Sequence, residues 1–353
     1  MKEFQNSLPK GGEFLFCGVS GIPVAIRSWS EEMEVPLSIL GEGNGRVRLK
    51  VLEDTPILSV VGDNVIDGRR LLEEKVLRLK SIGIDISIST TTKVWSDKSI
   101  VEEVVKILAE YGYTLSHSYF EDKSVSFVSP YFEVVKSIDE VVALRHAIIL
   151  ASERLRVGSS FLPVSGGGRC GFLGSIVLKG DRGLLEAFAG GVLLHSPECT
   201  VFTNSSNPSF IRLNSSTCPH YVCYGKAKGA LYDVEFNNEG LRLDCDYWDN
   251  TGNPYLILAS IIEAGLMGVE CSLSLPDEVV ELNPTVTTGL VRLPMSLKEA
   301  LTISEGSGFL SRLLGDRHRN LFFIQKTEEY KAFDGVKGEA EYATYYSKLI
   351  KKG

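Results

Sequence analysis

Residues 84–129 read IDISISTTTKVWSDKSIVEEVVKILAEYGYTLSHSYFEDKSVSFVS and pass from strand to helix to strand. Ile84, Ile86 and Ile88 alternate with polar residues, the period of a half-buried strand. Ile100 to Tyr111 places its apolar residues at helical spacing, and SVSFVS (124–129) alternates again. Towards the C-terminus, Ile138 to Leu155 reads as a long helix with Asp139 and Glu140 in its first turn and arginines in its last, as the helix dipole favours. A Gly-rich segment SGGGRCG (165–171), a helix through Leu194 and a polar stretch rich in Asn and Ser follow. Towards the N-terminus, Asp67 to Ile82 sets Leu71, Leu72, Val76 and Leu79 on one helical face before Gly83 stops it. Residues 13–28 read as two short strands around a Gly turn, and 46–61 as two more. This order is α+β or α/β, without an internal repeat or low-complexity tract.

A chain of 353 residues exceeds one small core and suggests two domains. Apolar residues at 44% and charged residues at 23% fit a soluble globular protein. The net charge of −8 opposes attraction to phosphate backbones, and no basic run interleaved with aromatics occurs, so nucleic acid is not an expected partner. The first residues lack the apolar stretch of a signal peptide, and no later segment offers about 18 uncharged apolar residues; no membrane association and a cytoplasmic location are expected. The seven cysteines (17, 170, 199, 218, 223, 245 and 271) form an odd set without a CxxC pair, which reads as buried reduced thiols rather than a disulfide or zinc framework.

Three ordered stretches carry a resemblance. AGGVLLHSPECTVFTNSSNPSFIRL (189–213) is similar to a helix, an FTNP segment and an N-S-Y-K-R-L signature of glutamine synthetases. DYWDNTGNPYLILASIIEAGLMGVE (246–270) resembles their NPYL…AGL stretch, and LPMSLKEAL (293–301) their closing LP-x-SL-x-EAL motif. The resemblance covers about four fifths of the chain, with Asp67 to Ile82 at the family's PR-x-x-L helix. It implies an α+β fold of two domains: a short β-grasp-like N-terminal domain over 1–66 and a larger catalytic-type domain of antiparallel sheet plus helices over 67–353. It also implies a homo-oligomer, a hexameric ring or stacked dodecamer. The family's latch loop, with its ammonia-side aspartate, has no match.

Glutamine synthetases phosphorylate the γ-carboxylate of glutamate with ATP, and ammonia displaces the phosphate. Cations must face the oxygens that gather negative charge, and two divalent metals plus several arginines supply them. The family's G-x-E-x-E-F pair of ligands aligns with Thr90 and Thr92, and its second pair with Glu121 and Val128. The metal-binding histidine aligns with Leu173, the substrate-orienting histidine with Ser175, and the last ligand with Asp244. Glu121 and Asp244 are thus the carboxylates left, one for each metal or together a weak shared site, since Mg can be held by one or two carboxylates plus phosphates. Gly229 and Val234 stand at arginine positions, and Asp246 reverses the charge of a third. The flap glutamate is absent from RLNSSTCPH (212–220). Arg212 aligns with an arginine that clamps the substrate carboxylate; the plainer reading is a structural arginine.

Other candidates carry plainer readings. SGGGRCG with Arg169 is an anion cradle or a flexible turn. His195 reads as a cap for helix carbonyls, His117 as a polar residue near Glu121, and Cys170, Cys218 and Cys245 as packing groups. The expectation is a catalytically inactive glutamine synthetase-like protein, without catalytic residues or cofactor, holding at most a weak Mg or Mn ion with ATP. It would act as an oligomeric scaffold or regulator, with an active glutamine synthetase paralogue as a partner in nitrogen metabolism. The alternative is an ATP-dependent carboxylate–amine ligase, glutamate–ammonia ligase-like, or a small-molecule binder with a rebuilt pocket.

Overall fold

The computed structural model describes residues 13–17, 23–27, 32–36, 46–52, 55–61, 65–333 (apart from 122, 166–167, 216–217 and 239) and 350–351. Short strands come first: β1 (Glu13–Cys17), β2 (Pro23–Arg27), β3 (Glu32–Pro36), β4 (Arg46–Val51) and β5 (Leu58–Val61). β1 pairs with β2, and β3–β4–β5 form a second antiparallel sheet. Four of these strands match the sequence pattern; β3 does not announce itself, because EMEVP carries acids and a proline.

The chain continues through α1 (Gly68–Ser81), β6 (Asp85–Ser96), α2 (Ile100–Glu110), β7 (His117–Glu121), β8 (Ser124–Val128), β9 (Phe132–Glu133) and α3 (Val134–Leu155). Then come β10 (Ser159–Ser160), β11 (Val164–Ser165), β12 (Gly168–Arg169), β13 (Gly171–Lys179), α4 (Arg182–Leu194), α5 (Ser196–Thr203), α6 (Asn207–Leu213) and β14 (Tyr221–Tyr224). β15 (Ala230–Asn237), β16 (Gly240–Cys245), α7 (Pro254–Glu270), α8 (Pro284–Thr288), α9 (Leu297–Gly306), α10 (Phe309–Ala332) and β17 (Ile350–Lys351) complete it.

The large sheet runs β14-β15-β16-β13-β6-β10-β17, with β8 and β9 also on β6 and β7 on the outside of β8. Its pairs are antiparallel except β14 with β15, so the sheet is mixed and the fold is α+β. One face is covered by helices. α3 lies against β6, α4 against β14 and β16, and α7 against both α1 and α4. The crossing of α4 and α7 depends on close backbone approach: a Cβ on Gly191 would lie 2.3 Å from the Ala264 carbonyl oxygen, and one on Gly268 2.2 Å from that of Ala187. Their glycines therefore set the depth of the helix layer.

Polar side chains join the parts. Asp67 caps α1 by accepting from the Arg70 amide, and its other oxygen accepts from Ser59 Oγ at 2.5 Å and the Val60 amide at 2.8 Å, tying β5 to the helix. Asn253 caps α7 and donates Nδ2 to the Cys17 carbonyl at 3.0 Å, tying β1 to the same layer. α3 starts at Val134, four residues before the sequence pattern places it, so Asp139 and Glu140 lie beyond its first turn. Both are buried. Asp139 accepts from Arg69 Nε at 2.9 Å and from the Tyr255 hydroxyl at 2.6 Å, which locks α1, α3 and α7 together instead of serving the helix dipole. No helix among the described residues is long and apolar enough to cross a membrane.

Candidate functional site

A cavity of about 1140 Å³ opens on the sheet face away from the helices, lined also by residues 218–221, 225–229, 282–284 and 287. Strand alternation decides which side chains reach it. On β6 the even-numbered residues from Ile86 to Ser96 are buried, while Ser89 and Thr91 line the cavity. On β13 Leu173 and Ser175 line it, and on β16 Arg242 and Asp244 do.

Ladder registers arrange these residues in two rows. In the first, Asp233, Asp244, Ser175 and Ser89 lie directly opposite one another across β15, β16, β13 and β6. In the second, Leu173, Thr91, Val128 and His117 lie across β13, β6, β8 and β7. Neighbours in a row are about 5 Å apart at Cβ. Asp244 is the hub of the first row. Its Oδ2 accepts from Arg242 Nη2 at 2.8 Å, its Oδ1 accepts from Arg242 Nε at 3.1 Å and from Ser175 Oγ, and Ser175 Oγ meets the Tyr131 hydroxyl at 2.6 Å. Asp246 also lines the cavity; burial raises its carboxyl above the usual range, and the Arg212 guanidinium draws it back.

These positions correct the sequence reading in several places. Thr90 and Thr92 face the helices: Thr90 Oγ1 meets Ser129 Oγ at 2.9 Å, and both threonines are buried. The alternation begun by Ile84, Ile86 and Ile88 continues in phase through Thr90, Thr92 and Val94, so the cavity residues are Ser89 and Thr91. Val234 pairs with Leu243 and packs on the core, leaving Asp233 towards the cavity. Glu121 stands opposite Ser124, which stands opposite Trp95. Trp95 lies six residues, about 20 Å of strand, beyond Ser89, the residue in Asp244's row. Glu121 and Asp244 therefore cannot share an ion, and Glu121 pairs with Lys93 instead, at 3.4 Å. The hairpin places His117 opposite Val128 in the second row, a position that the motif alignment gave to Glu121.

Gly229 lines the cavity with φ +107°. Arg212, half-buried, donates Nη2 to Asn204 Oδ1 at 3.0 Å and to the Tyr247 carbonyl, while its Nε is buried without a hydrogen-bond partner among the described residues. It is at least a structural arginine. His195 caps the end of α4 and meets Glu198 through Nδ1 at 3.2 Å. Six of the seven cysteines are buried thiols and Cys271 is exposed; burial pushes the Cys170 thiol up to about 12, so it is no nucleophile near neutrality. β11 and β12 pair within the SGGGRCG segment, whose residues 166–167 lie outside the described residues.

The model for the catalytic domain of glutamine synthetase matches residues 179–345. Glutamine synthetases of Pyrococcus furiosus and Pyrococcus abyssi are 28% and 26% identical, over 58% and 73% of this chain and 51% and 63% of theirs. A gamma-glutamylpolyamine synthetase of Streptomyces coelicolor is 28% identical over 60% of this chain and 52% of its own. A crystal structure described as a novel glutamine synthase homolog superposes with a TM-score of 0.75 at 17% identity, covering 96% of this chain and 97% of that one. In sequence and in fold the chain is similar to the glutamine synthetase superfamily. It spans about half to three fifths of the length of these curated relatives.

Likeness to this superfamily raises the question of its two divalent metals. Hard cations need several oxygen or imidazole ligands on one centre. The first row gives two serine hydroxyls and Asp244, whose oxygens are engaged by Arg242 and Ser175, with Asp233 beside it. The second gives Thr91, two aliphatic side chains and His117. Among the described residues, no three His, Cys, Asp or Glu side chains are grouped to hold an ion. The residues do not fit the superfamily's metals.

Proposed function

We propose that this glutamine synthetase-like protein is a pseudoenzyme: it keeps the fold, does not form glutamine, and acts as an oligomeric scaffold or regulator. The observation that supports this is the pair of rows on the cavity side of the sheet, which offer Asp233, Asp244 and His117 where the reaction needs two ligand cages. Phosphoryl transfer gains its rate from fixed positive charge around the moving oxygens. Here Asp246 adds negative charge to the cavity, and at about 4 Å from a phosphoryl its repulsion would cost several kcal/mol at an effective dielectric near 20. Assembly as a closed ring, a hexamer or stacked dodecamer, and association with an active paralogue belong to the same reading.

Its test is an incubation with glutamate, ammonia, ATP and Mg or Mn, with glutamine and phosphate measured. No turnover above background is expected, and rates within a hundredfold of a typical enzyme's roughly 10 per second would end the pseudoenzyme reading. Light scattering on the same sample should give a mass of several chains; one chain at micromolar concentration would end the ring.

The cavity favours a second reading, a small-molecule binder or carboxylate–amine ligase with a rebuilt pocket. Its volume of about 1140 Å³ suits a metabolite, and His220, Tyr221 and charged side chains of both signs line it. A binder gains thermal stability with its ligand, whereas a pure scaffold does not.

A further inference from the structure

The geometry points to Arg242 as a resident cation of the cavity: its guanidinium occupies the surviving carboxylate of the first row and leaves that row closed to a divalent metal, so that ligands bind here without a metal bridge. The inference deepens the reading of this cavity as the counterpart of the superfamily's reaction site.

Three observations carry it. First, Arg242 and Asp244 lie two residues apart on β16, so both project from the same face of the sheet. Their contact is two-pronged, Nη2 to Oδ2 at 2.8 Å and Nε to Oδ1 at 3.1 Å, the fork geometry that suits a guanidinium to a carboxylate. Second, the same guanidinium reaches Ser175 Oγ through Nε at 3.3 Å, and Ser175 also donates to Asp244 and contacts Tyr131. Arg242 thus bonds to two of the side chains that would have to ligate an ion in this row. Third, an arginine stays charged at any pH a protein survives, so the site has no neutral state in which a metal could enter unopposed.

A divalent ion entering the row must displace the guanidinium and then sit beside it. Asp233, directly opposite Asp244, supplies one further carboxylate, and the remaining groups, Ser175 and Ser89, are neutral hydroxyls. That set is short of the ligand number a hard cation takes from protein alone. The ligand class that follows is one that needs no metal to cross its charge to the protein. Molecules with their own amine or carboxylate qualify, because Asp233, Asp246 and Arg242 offer fixed charges of both signs in one cavity. A triphosphate presented as its metal chelate does not.

The experiment measures Mn²⁺ binding to the full chain by electron paramagnetic resonance, in which bound Mn²⁺ drops out of the signal of the free ion. Wild-type protein is expected to leave that signal unchanged. The variant Ser89→Glu/Ser175→His/Arg242→Gln builds a carboxylate–imidazole–carboxylate row and should take up about one ion per chain. Ser89→Glu/Ser175→His, with the guanidinium retained, should bind at least about tenfold more weakly. Stoichiometric Mn²⁺ uptake by the wild type would overturn the inference whatever the variants do, and so would equal behaviour of the double and triple variants. Thermal melts establish that each variant is folded. The pseudoenzyme reading fails separately: glutamine formation would end it with the Mn²⁺ result intact, and Mn²⁺ uptake by a wild type that forms no glutamine would end only the metal inference.

Discussion

The helix-covered face of the large sheet and its cavity face answer to different demands, and the chain treats them differently. On the covered face, Phe172, Ile176, Leu241, Leu243, Tyr247 and Trp248 are buried and continuous with the core of α3, α4 and α7. The stretch 246–270, which resembles glutamine synthetases, belongs to this layer through Tyr247, Trp248 and α7. On the cavity face, the residues one position away along the same strands are serine, threonine, leucine and aspartate, with the single arginine Arg242 paired to Asp244, where the reaction needs metal ligands and several arginines. Packing tolerates few alternatives at fixed volume, whereas a solvated cavity wall tolerates many. The difference teaches that this fold is held by one face and that its chemistry is written on the other.

The sharpest way to break that comparison is to damage the covered face. Trp248 is fully buried, and Gly174 packs so tightly beneath it that a Cβ there would lie 2.5 Å from the indole. Trp248→Ala should lower unfolding free energy by about 3–5 kcal/mol, the range for emptying a large aromatic site. Thr91→Ala, on the cavity face of β6, should change it by less than about 0.5 kcal/mol. Denaturant unfolding of both variants measures the contrast, and similar losses would mean that the cavity wall bears on stability as the core does.

Much of the covered face was legible and much of the cavity face was not. The isoleucines of 84–88 declared the phase of β6, and that phase continued through the three consecutive threonines 90–92. Those threonines look alike on both faces, so a motif match displaced by one residue met no contrast in polarity to correct it. The β7–β8 hairpin hid its register for a related reason: HSYFE is half-buried or exposed along its whole length. Only the ladder shows that His117, not Glu121, stands opposite Val128. β16 was easier, because Leu241, Leu243 and Cys245 alternate with Arg242 and Asp244. The early start of α3 was missed because Glu133, its cap, is followed by the β-branched pair Val134 and Val135, which favour strand.

The covered face also holds a group whose ionisation sets it against the rest. Glu140 is buried in α3, neither carboxylate oxygen has a hydrogen-bond partner among the described residues, and burial raises its pKa from 4.5 to about 7, against the opposing pull of Lys136. Below about pH 4.5 it is protonated folded and unfolded alike and contributes no pH dependence. Between 4.5 and 7 the unfolded chain releases the proton while the folded chain keeps it, so stability falls as pH rises, and above 7 the penalty is constant. Glu140→Gln, which cannot ionise, should therefore gain on the wild type by about 1–2 kcal/mol at pH 8 and by little at pH 4.5. Melting temperatures across that range check the sign; a gain independent of pH would place the effect in packing instead of charge.

The smallest effect belongs to Glu121, and it sharpens the comparison where sequence and structure disagreed. By motif this carboxylate is a metal ligand, and Glu121→Gln should then alter whatever the cavity binds. By register it stands at the far end of β7, 62% exposed, with Lys93 at 3.4 Å as its partner. An exposed pair of that length is worth about 0–1 kcal/mol, because water screens both charges and two long side chains must be ordered to make it. Glu121→Gln should accordingly shift unfolding free energy by less than about 0.5 kcal/mol and leave Mn²⁺ uptake by the Ser89→Glu/Ser175→His/Arg242→Gln variant unchanged. His117→Ala in the same background should leave that uptake unchanged too, because His117 belongs to the second row. A loss of Mn²⁺ on Glu121→Gln would put the carboxylate inside the cavity, which the β7–β8 ladder cannot accommodate without slipping. Glu121 stands four residues beyond His117 on β7, so that outcome would require a four-residue slip and would redraw the second row as Thr91, Val128 and a carboxylate.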